Sequence, residues 1–147
     1  MSATTSPRRR FLQVIAQGGA LAGAASLGLG CGNGPAGIYD AGAVSAVPVG
    51  ALHQVGSAPL AIGHDEGGLY AMTLICPHAN CDMGSQGAVS PSGVVCYCHG
   101  SSFDVTGGVL NGPAHDPLEH YAVTVSAAGE ITVDADTPVD ASVRAAV

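Results

Sequence analysis

The chain contains no tryptophan and few aromatic residues of any kind. Its 147 residues include four tyrosines and two phenylalanines. Bulky rings are therefore too few to fill a hydrophobic core, so the core must be built mainly from Val, Leu, Ile and Ala. No internal repeat is present, and the length beyond the N-terminal segment is normal for one domain.

Basic residues are also scarce. Three of the four, Arg8, Arg9 and Arg10, stand together near the N-terminus, which leaves Arg144 as the only base elsewhere against all 11 acidic residues. A surface with this charge repels nucleic acid and anionic lipid headgroups, so the composition excludes nucleic-acid binding. It favours association with a basic partner protein, although an acidic surface that only interacts with solvent has the same composition.

The N-terminal segment has the pattern of an export signal. Arg8-Arg9-Arg10-Phe11-Leu12-Gln13 precedes an uncharged stretch, rich in Ala, Gly and Leu, from Val14 to Gly30. This resembles a twin-arginine signal, with an ordinary secretory signal as the alternative. The stretch has about 17 to 20 residues, the length that just spans a bilayer. Residues 1–31 are thus expected to be a signal or an anchor, which places the rest at the periplasmic or extracytoplasmic face of a bacterial membrane.

The chain has five cysteines, and Cys31 stands apart from the others. It follows Leu27-Gly28-Leu29-Gly30, a sequence with the general form of a lipoprotein cleavage box. Cys31 is therefore a candidate for lipidation, with an uncleaved anchor helix or a plain free cysteine as alternatives. Lipid or anchor would hold the domain at a membrane surface. Residues 32–44 are rich in Gly, Ala and Pro and are expected to be a linker.

The pattern along the rest of the chain predicts an all-β fold. Short apolar runs alternate with turn residues, as in antiparallel strands joined by tight turns. Two hairpins are predicted, and their strands are residues 59–62, 69–75, 120–125 and 130–133. The first hairpin leads into Cys76, and Val94-Val95 lead into Cys96, so strands bring two cysteine-rich runs to one end. Residues 45–134 are expected to form this domain and residues 135–147 a loosely held C-terminal tail.

The two cysteine-rich runs are Cys76-Pro77-His78-Ala79-Asn80-Cys81 and Cys96-Tyr97-Cys98-His99-Gly100-Ser101. Their Cys-x-His and Cys-x-x-His spacings supply four soft donors for a metal or cluster, with one cysteine of each run left over. A tetrahedral zinc site is an alternative, but Cys-x-His is tighter than the usual zinc spacing. A role in disulfides alone is a second alternative, which gives the two histidines no purpose.

The two runs resemble the cluster loops of the Rieske iron–sulfur proteins, in the branch whose loops read Cys-x-His-x-x-Cys and Cys-x-Cys-His-Gly-Ser. The resemblance covers residues 45–134 and implies a Rieske-type antiparallel β-sandwich with two cluster-binding loops at one end. It implies a [2Fe-2S] cluster with one iron held by two cysteines and the other by two histidines. By position these metal ligands would be Cys76, Cys96, His78 and His99. Cys81 and Cys98 would form a disulfide between the loops.

Residues beside these loops bear on the reduction potential. Ser101 stands where the family's serine donates its hydroxyl to a bridging sulfide. Phe103 stands where high-potential members have a tyrosine donor, so a potential below that of the quinol-oxidising members is expected. Pro113 belongs to the family's proline-containing loop. Ala79 and Asn80 take the place of a shielding leucine. With Phe103, they favour a stand-alone carrier or a divergent complex over a standard respiratory subunit.

Four histidines lie outside the proposed ligand positions. His53, His64 and His120 are expected to be exposed strand or turn residues, because none belongs to a second group of donors. His115 replaces a proline that is common in the proline-containing loop. Its imidazole would tune the potential or relay protons if that loop packs beside the cluster.

The sequence therefore predicts an exported Rieske protein that carries single electrons, with a proton coupled through the histidine rings. Its partners would be donor and acceptor proteins, such as a cytochrome, or quinol through a partner subunit. The alternative is the iron–sulfur subunit of a quinol-oxidising cytochrome bc-type complex, and a structural zinc or disulfide module is the third reading. An oxygenase component is disfavoured because those systems generally lack the extra cysteine pair.

Overall fold

Ten β-strands make up most of the regular structure of residues 34–147, the part of the chain that the computed structural model describes. They are β1 (Ile38–Ala43), β2 (Leu52–Gln54), β3 (Leu60–Asp65), β4 (Gly68–Thr73), β5 (Gly87–Ser90), β6 (Gly93–Cys96), β7 (Ser102–Phe103), β8 (Val109–Asn111), β9 (His120–Val125) and β10 (Glu130–Val139). A short 3-10 helix spans Val44–Ala46. The predicted all-β fold is confirmed. The predicted signal or anchor and Cys31 lie outside the described residues.

The strands form two antiparallel sheets. One has the order β1-β10-β9-β4-β3-β2 and the other the order β5-β6-β7-β8. Both predicted hairpins are present, β3 with β4 and β9 with β10. The predicted turn 63–68 is shorter than expected, because β3 continues to Asp65 and pairs there with Gly68. Between residues 34 and 147, no helix is long and apolar enough to cross a membrane.

Side-chain alternation along β4 divides the core into two layers. Tyr70 and Met72 pack in a cluster that includes Val94 and Phe103 of the second sheet, whereas Leu69 and the other odd-numbered residues face the opposite side. Every residue of β4 is buried, so this strand is covered on both faces. The first cluster joins the two sheets into the predicted sandwich, and aliphatic residues dominate both layers.

The predicted linker 32–44 is wrong for residues 38–43, which form β1. This strand pairs with β10 at the edge of the first sheet, with Ile38 opposite Asp134 and Ala43 opposite Glu130. Its side chains alternate between exposed and half-buried, and Gly42 follows a shift in register. A half-exposed edge strand that contains Gly and Asp has little hydrophobic alternation, so its pairing depends on a distant strand rather than on local sequence.

The predicted loose tail 135–147 is also wrong. Strand β10 continues to Val139, and Leu69 and Ala145 exchange backbone hydrogen bonds of 3.0 and 2.8 Å. The side chain of Arg144 donates from Nε to Oδ2 of Asp65 at 2.7 Å, and its guanidinium lies 4.4 Å from the centre of the Tyr70 ring. Arg144, the only Lys or Arg outside the N-terminal segment, therefore holds the tail against the β3–β4 hairpin.

Two of the histidines that were expected to be exposed are buried. His64 is 8% exposed and His120 is 2% exposed, while His53 is half-buried. Nδ1 of His64 donates to the Val47 carbonyl at 2.6 Å, and Nδ1 of His120 donates to the Leu118 carbonyl at 3.1 Å. Nε2 of His120 has no partner among the described residues. A neutral imidazole has only one N–H, so one backbone acceptor satisfies its donor and permits burial.

Because of His120, the stability of the fold should decrease in mild acid. Burial lowers the pKa of His120 below its usual 6.5, against the opposing effect of the Leu118 carbonyl. The unfolded chain therefore binds a proton that the folded chain excludes, so the free energy of unfolding should fall as the pH drops through about 6.5. The slope is at most about 1.4 kcal/mol per pH unit for one proton. Urea unfolding from pH 8 to pH 5 measures it.

The matched comparison uses two single variants. His120→Phe should lose this part of the pH dependence, whereas the half-buried His53→Gln should retain it. An unchanged slope in His120→Phe would assign the acid sensitivity to other groups.

Candidate metal centre

Two loops at one end of the sandwich carry the residues of the cysteine-rich runs. The first loop follows β4 and the second follows β6, whose last residue is Cys96. The β5–β6 hairpin pairs Gly87 with Cys96, which fixes where the second loop begins. A disulfide between Cys81 and Cys98 joins the loops, with 6.6 Å between the two Cα atoms. The disulfide that the family resemblance implied is therefore present.

The two loops close with the same backbone hydrogen bonds. In each run, the first cysteine donates its N–H to the carbonyl of the last residue and accepts at its own carbonyl from the fifth residue. These bonds are Cys76 to Cys81 at 2.8 Å, Asn80 to Cys76 at 2.9 Å, Cys96 to Ser101 at 2.8 Å and Gly100 to Cys96 at 3.0 Å. Each loop is thus a closed turn that begins at a cysteine.

The fifth position of each loop has left-handed backbone, with φ of 56° at Asn80 and 84° at Gly100. Glycine adopts this conformation freely, and asparagine tolerates it better than most other residues. This equivalence was not predicted from the sequence, because the spacing of the ligands does not by itself indicate the backbone conformation between them. The signal was present in the Asn and Gly at matching positions.

The four predicted ligands form two pairs of opposite exposure. The side chains of Cys76 and Cys96 are each 1% exposed, whereas His78 and His99 are exposed at the tip of the loops. The two imidazole rings lie 4.8 Å apart between centroids, at an angle of 77°. The structure therefore brings the predicted ligands together as two buried thiols and two adjacent surface imidazoles.

The buried Cys96 thiol would be unfavourable as an unpaired thiolate. Burial raises the pKa of the Cys96 thiol; the backbone N–H of Cys98 opposes the increase and the neighbouring Cys76 thiol adds to it. A thiolate in an apolar site is unfavourable unless a positive centre compensates its charge. A metal centre supplies that charge, and its binding would release the thiol protons.

The sulfur of Cys96 lies within 4.8 Å of both disulfide sulfurs, those of Cys81 and Cys98. These three sulfurs do not make a three-thiolate zinc site, because two of them are bonded to each other. In the described part of the chain, no other group of three His, Cys, Asp or Glu donors comes this close. The disulfide instead lies beside the buried Cys96 thiol and connects the two loops.

The remaining predicted residues surround this centre. Ser101 is fully buried, and its Oγ accepts the backbone N–H of Ala114 at 3.0 Å, which leaves its own O–H available to donate. Phe103 is 1% exposed and packs in the core cluster that contains both thiols. Pro113 is half-buried in the loop between β8 and β9, and His115 in the same loop is exposed.

Removal of the Cys81–Cys98 disulfide should destabilise the domain. A crosslink that spans 17 residues contributes about 3 kcal/mol when it restricts the unfolded chain. The double variant Cys81→Ala, Cys98→Ala should therefore unfold at a lower guanidinium concentration than the oxidised wild type. Wild-type protein treated with a thiol reductant is the control and should approach the variant. Equal midpoints for the variant and the oxidised wild type would contradict a stabilising crosslink.

Comparison with known proteins identifies the family of the chain. The family model of the Rieske [2Fe-2S] domain matches residues 37–122. The cytochrome b6-f complex iron–sulfur subunit of Chlorobaculum tepidum is 30% identical over 86 residues, which are 57% of this chain and 46% of that protein. This chain therefore matches less than half the length of that relative.

Two solved structures have the same fold over most of their length. The cyanobacterial plasma membrane Rieske protein PetC3 from Synechocystis PCC 6803 is 28% identical, with a TM-score of 0.52, and the match covers 66% of this chain and 99% of that one. A chain from the complex of reduced oxygenase and oxidized ferredoxin in carbazole 1,9a-dioxygenase is also 28% identical. Its TM-score is 0.50, and the match covers 70% of this chain and 97% of that one.

The donors of this site fit the cofactor of that family. A [2Fe-2S] centre of the Rieske type takes two thiolates on one iron and two imidazoles on the other. The loops offer two adjacent thiols and two adjacent imidazoles, and the disulfide removes the other two cysteines from the donor set. The chain belongs to the Rieske [2Fe-2S] domain family, and this domain implies a [2Fe-2S] cluster.

Proposed function

We propose that Cys76 and Cys96 hold one iron of the [2Fe-2S] cluster, that His78 and His99 hold the other, and that the protein carries single electrons between partners outside the cytoplasm. The observation that carries this proposal is the pair of buried thiols beside the pair of exposed imidazoles. When bound, such a mixed-ligand cluster supplies one-electron chemistry at about −150 to +300 mV, above the roughly −400 mV of plant-type ferredoxins.

The exposure of His78 and His99 suits both electron and proton exchange. An imidazole that binds iron through one nitrogen keeps a second ring nitrogen, and at an exposed site this nitrogen reaches solvent or a partner. Loss of the proton from that nitrogen is easier when the iron is oxidised, so the potential should depend on pH. The imidazole pair is therefore the expected point of contact with the electron partner.

Ser101 and the disulfide would both support the cluster. The hydroxyl oxygen of Ser101 is held by the Ala114 N–H, so its O–H can be directed to a sulfur acceptor. Such a donor stabilises added negative charge and raises the potential. The Cys81–Cys98 disulfide holds the two loops together.

The charge of the surface favours a basic partner, such as a cytochrome. Among residues 34–147 the only Lys or Arg is Arg144, and its guanidinium already pairs with Asp65. Acidic residues are therefore in excess throughout the described part, and long-range attraction would steer a cationic surface towards it. Association should weaken as salt is added.

A second candidate function is the iron–sulfur subunit of a quinol-oxidising cytochrome bc-type complex. It is favoured by the identity to the cytochrome b6-f iron–sulfur subunit of Chlorobaculum tepidum. Two features favour the stand-alone carrier. The exposed residues Ala79 and Asn80 leave the first loop small, and Phe103 places no hydroxyl in the core cluster that contains the thiols.

Export through the twin-arginine route would suit this cofactor. The run Arg8-Arg9-Arg10-Phe11-Leu12 supports it, as does a disulfide that persists best in an oxidising compartment. The apolar stretch before Cys31, or a lipid on Cys31, would then hold the protein at the outer face of the membrane.

The ligand assignment is tested by iron analysis and EPR of purified protein. Wild-type protein reduced with dithionite should contain about two irons per chain and give the spectrum of a histidine-ligated [2Fe-2S] cluster. Cys96→Ser and His99→Gln should each lose most of both signals. His115→Gln, an exposed histidine outside the loops, is the matched control and should keep them. Bound zinc in the wild type, or full iron retention in His99→Gln, would contradict the assignment.

The potential should rise when a hydroxyl is introduced at position 103. Phe103 lies in the core cluster with both thiols, so a tyrosine there could donate to a sulfur. A hydrogen bond that is about 1 kcal/mol stronger in the reduced state raises a one-electron potential by roughly 40 mV. Redox titration of Phe103→Tyr against the wild type measures the increase. Phe103→Leu controls for altered packing, and equal potentials in the Tyr and Leu variants would contradict the prediction.

A further inference from the structure

Asn111 lies at the end of edge strand β8, and its side chain reaches the second ligand loop. Nδ2 of Asn111 donates to the carbonyl of Gly100 at 3.1 Å and to the carbonyl of Gly112 at 2.9 Å. The Gly112 bond is local, whereas the Gly100 bond connects residues 11 positions apart. One side-chain amide therefore bridges the residue that follows His99 and the start of the loop that contains Pro113.

A shift in strand register directs Asn111 to this position. Ser102 pairs with Asn111, but Phe103 pairs with Val109, so Leu110 is an extra residue between them. A bulge of this kind re-aims the side chains on either side of it. Leu110 is 65% exposed, and Asn111 stands beside the second loop.

The Asn111 amide completes the restraint of the Gly100 backbone, because the two peptide groups that flank Gly100 are then both hydrogen-bonded. The N–H of Gly100 donates to the Cys96 carbonyl at 3.0 Å, and the Gly100 carbonyl accepts from Asn111. In the first loop, the N–H of Asn80 has the matching bond to Cys76, but no hydrogen bond to the Asn80 carbonyl occurs among the described residues. The second loop is thus restrained on both sides of the residue after its histidine, and the first loop is not.

The same contact connects two loops that both touch the site. The loop between β8 and β9 also donates its Ala114 N–H to Oγ of Ser101. Asn111 and Ser101 therefore hold this loop against the second ligand loop at two adjacent positions, Gly100 and Ser101. Both contacts therefore act on the backbone that directly follows His99.

We propose that Asn111 is a positioning residue for His99, which fixes the Gly100 carbonyl and couples the Pro113 loop to the second ligand loop. This inference rests on the proposed ligand role of His99. The Asn111 amide donates to two backbone carbonyls and not to a thiol or an imidazole, so it acts through the backbone next to His99.

The test compares three variants of the intact, cluster-loaded protein. Asn111→Leu removes both hydrogen bonds at similar size, Asn111→Gln retains an amide donor, and Leu110→Ala alters the exposed neighbour that makes neither bond. The measurements are the reduction potential across pH 6 to 9, the EPR line width of the reduced cluster, and the rate of iron release to a chelator.

Asn111→Leu should shift the potential, broaden the EPR lines and release iron about fivefold faster, as expected for the loss of one net hydrogen bond. Asn111→Gln should recover at least part of each change, and Leu110→Ala should match the wild type. Wild-type values for all three measurements in Asn111→Leu would overturn the inference, as would equal changes in Leu110→Ala. Failure of the proposed function is a separate result, because the wild type itself would then lack the cluster spectrum or His99→Gln would retain its iron.

Discussion

The two buried thiols, side by side, are the constraint on which the rest of this structure depends. Cys76 and Cys96 end up adjacent because two hairpins of different sheets deliver them to the same place. Burial disfavours the Cys96 thiolate unless a positive centre compensates its charge. The loops, the disulfide and the Ser101 contact all serve to hold this pair and the imidazoles above it. Metal binding and stability are therefore coupled, and the protein without its cluster should be less stable.

The difference in exposure between the thiols and the imidazoles determines which ligands a partner can reach. The thiols lie in the core and the imidazoles at the surface, so the histidine-bound iron would be the one nearer to a partner. Electrons need a short path to the partner, and protons need water or a partner group at the ring nitrogen. The excess of acidic residues over the described part of the chain would then act at longer range, in the selection and steering of a basic partner.

Much of the site could be predicted from the sequence because its chemistry is local. Thiol and imidazole donors at fixed spacing identify the loops, and the strands that lead into Cys76 and Cys96 are short apolar runs with clear turns. The disulfide followed from the family resemblance. Asn80 and Gly100 carry a further local signal, since both residue types tolerate left-handed backbone, and this signal was overlooked.

The parts that were missed depend on distant contacts. Strand β1 exists because β10 is available to pair with it, and its own residues are half-exposed. The tail is held by Arg144 through an ion pair whose partner, Asp65, is 79 residues away. His120 is buried beside a residue distant in sequence, with its ring centroid 6.0 Å from that of Tyr70. The bridge from Asn111 to Gly100 requires a register shift that the spacing of the sequence does not reveal.

The central claim is that two histidines bind one iron of the cluster, and nitrogen electron–nuclear double resonance of the reduced protein tests it most directly. The reduced cluster should show hyperfine couplings to two distinct nitrogens, assigned to His78 and His99, and the His99→Gln variant should lose one of them or the whole signal. A reduced cluster with no strongly coupled nitrogen would indicate ligation by cysteine alone and would contradict the account.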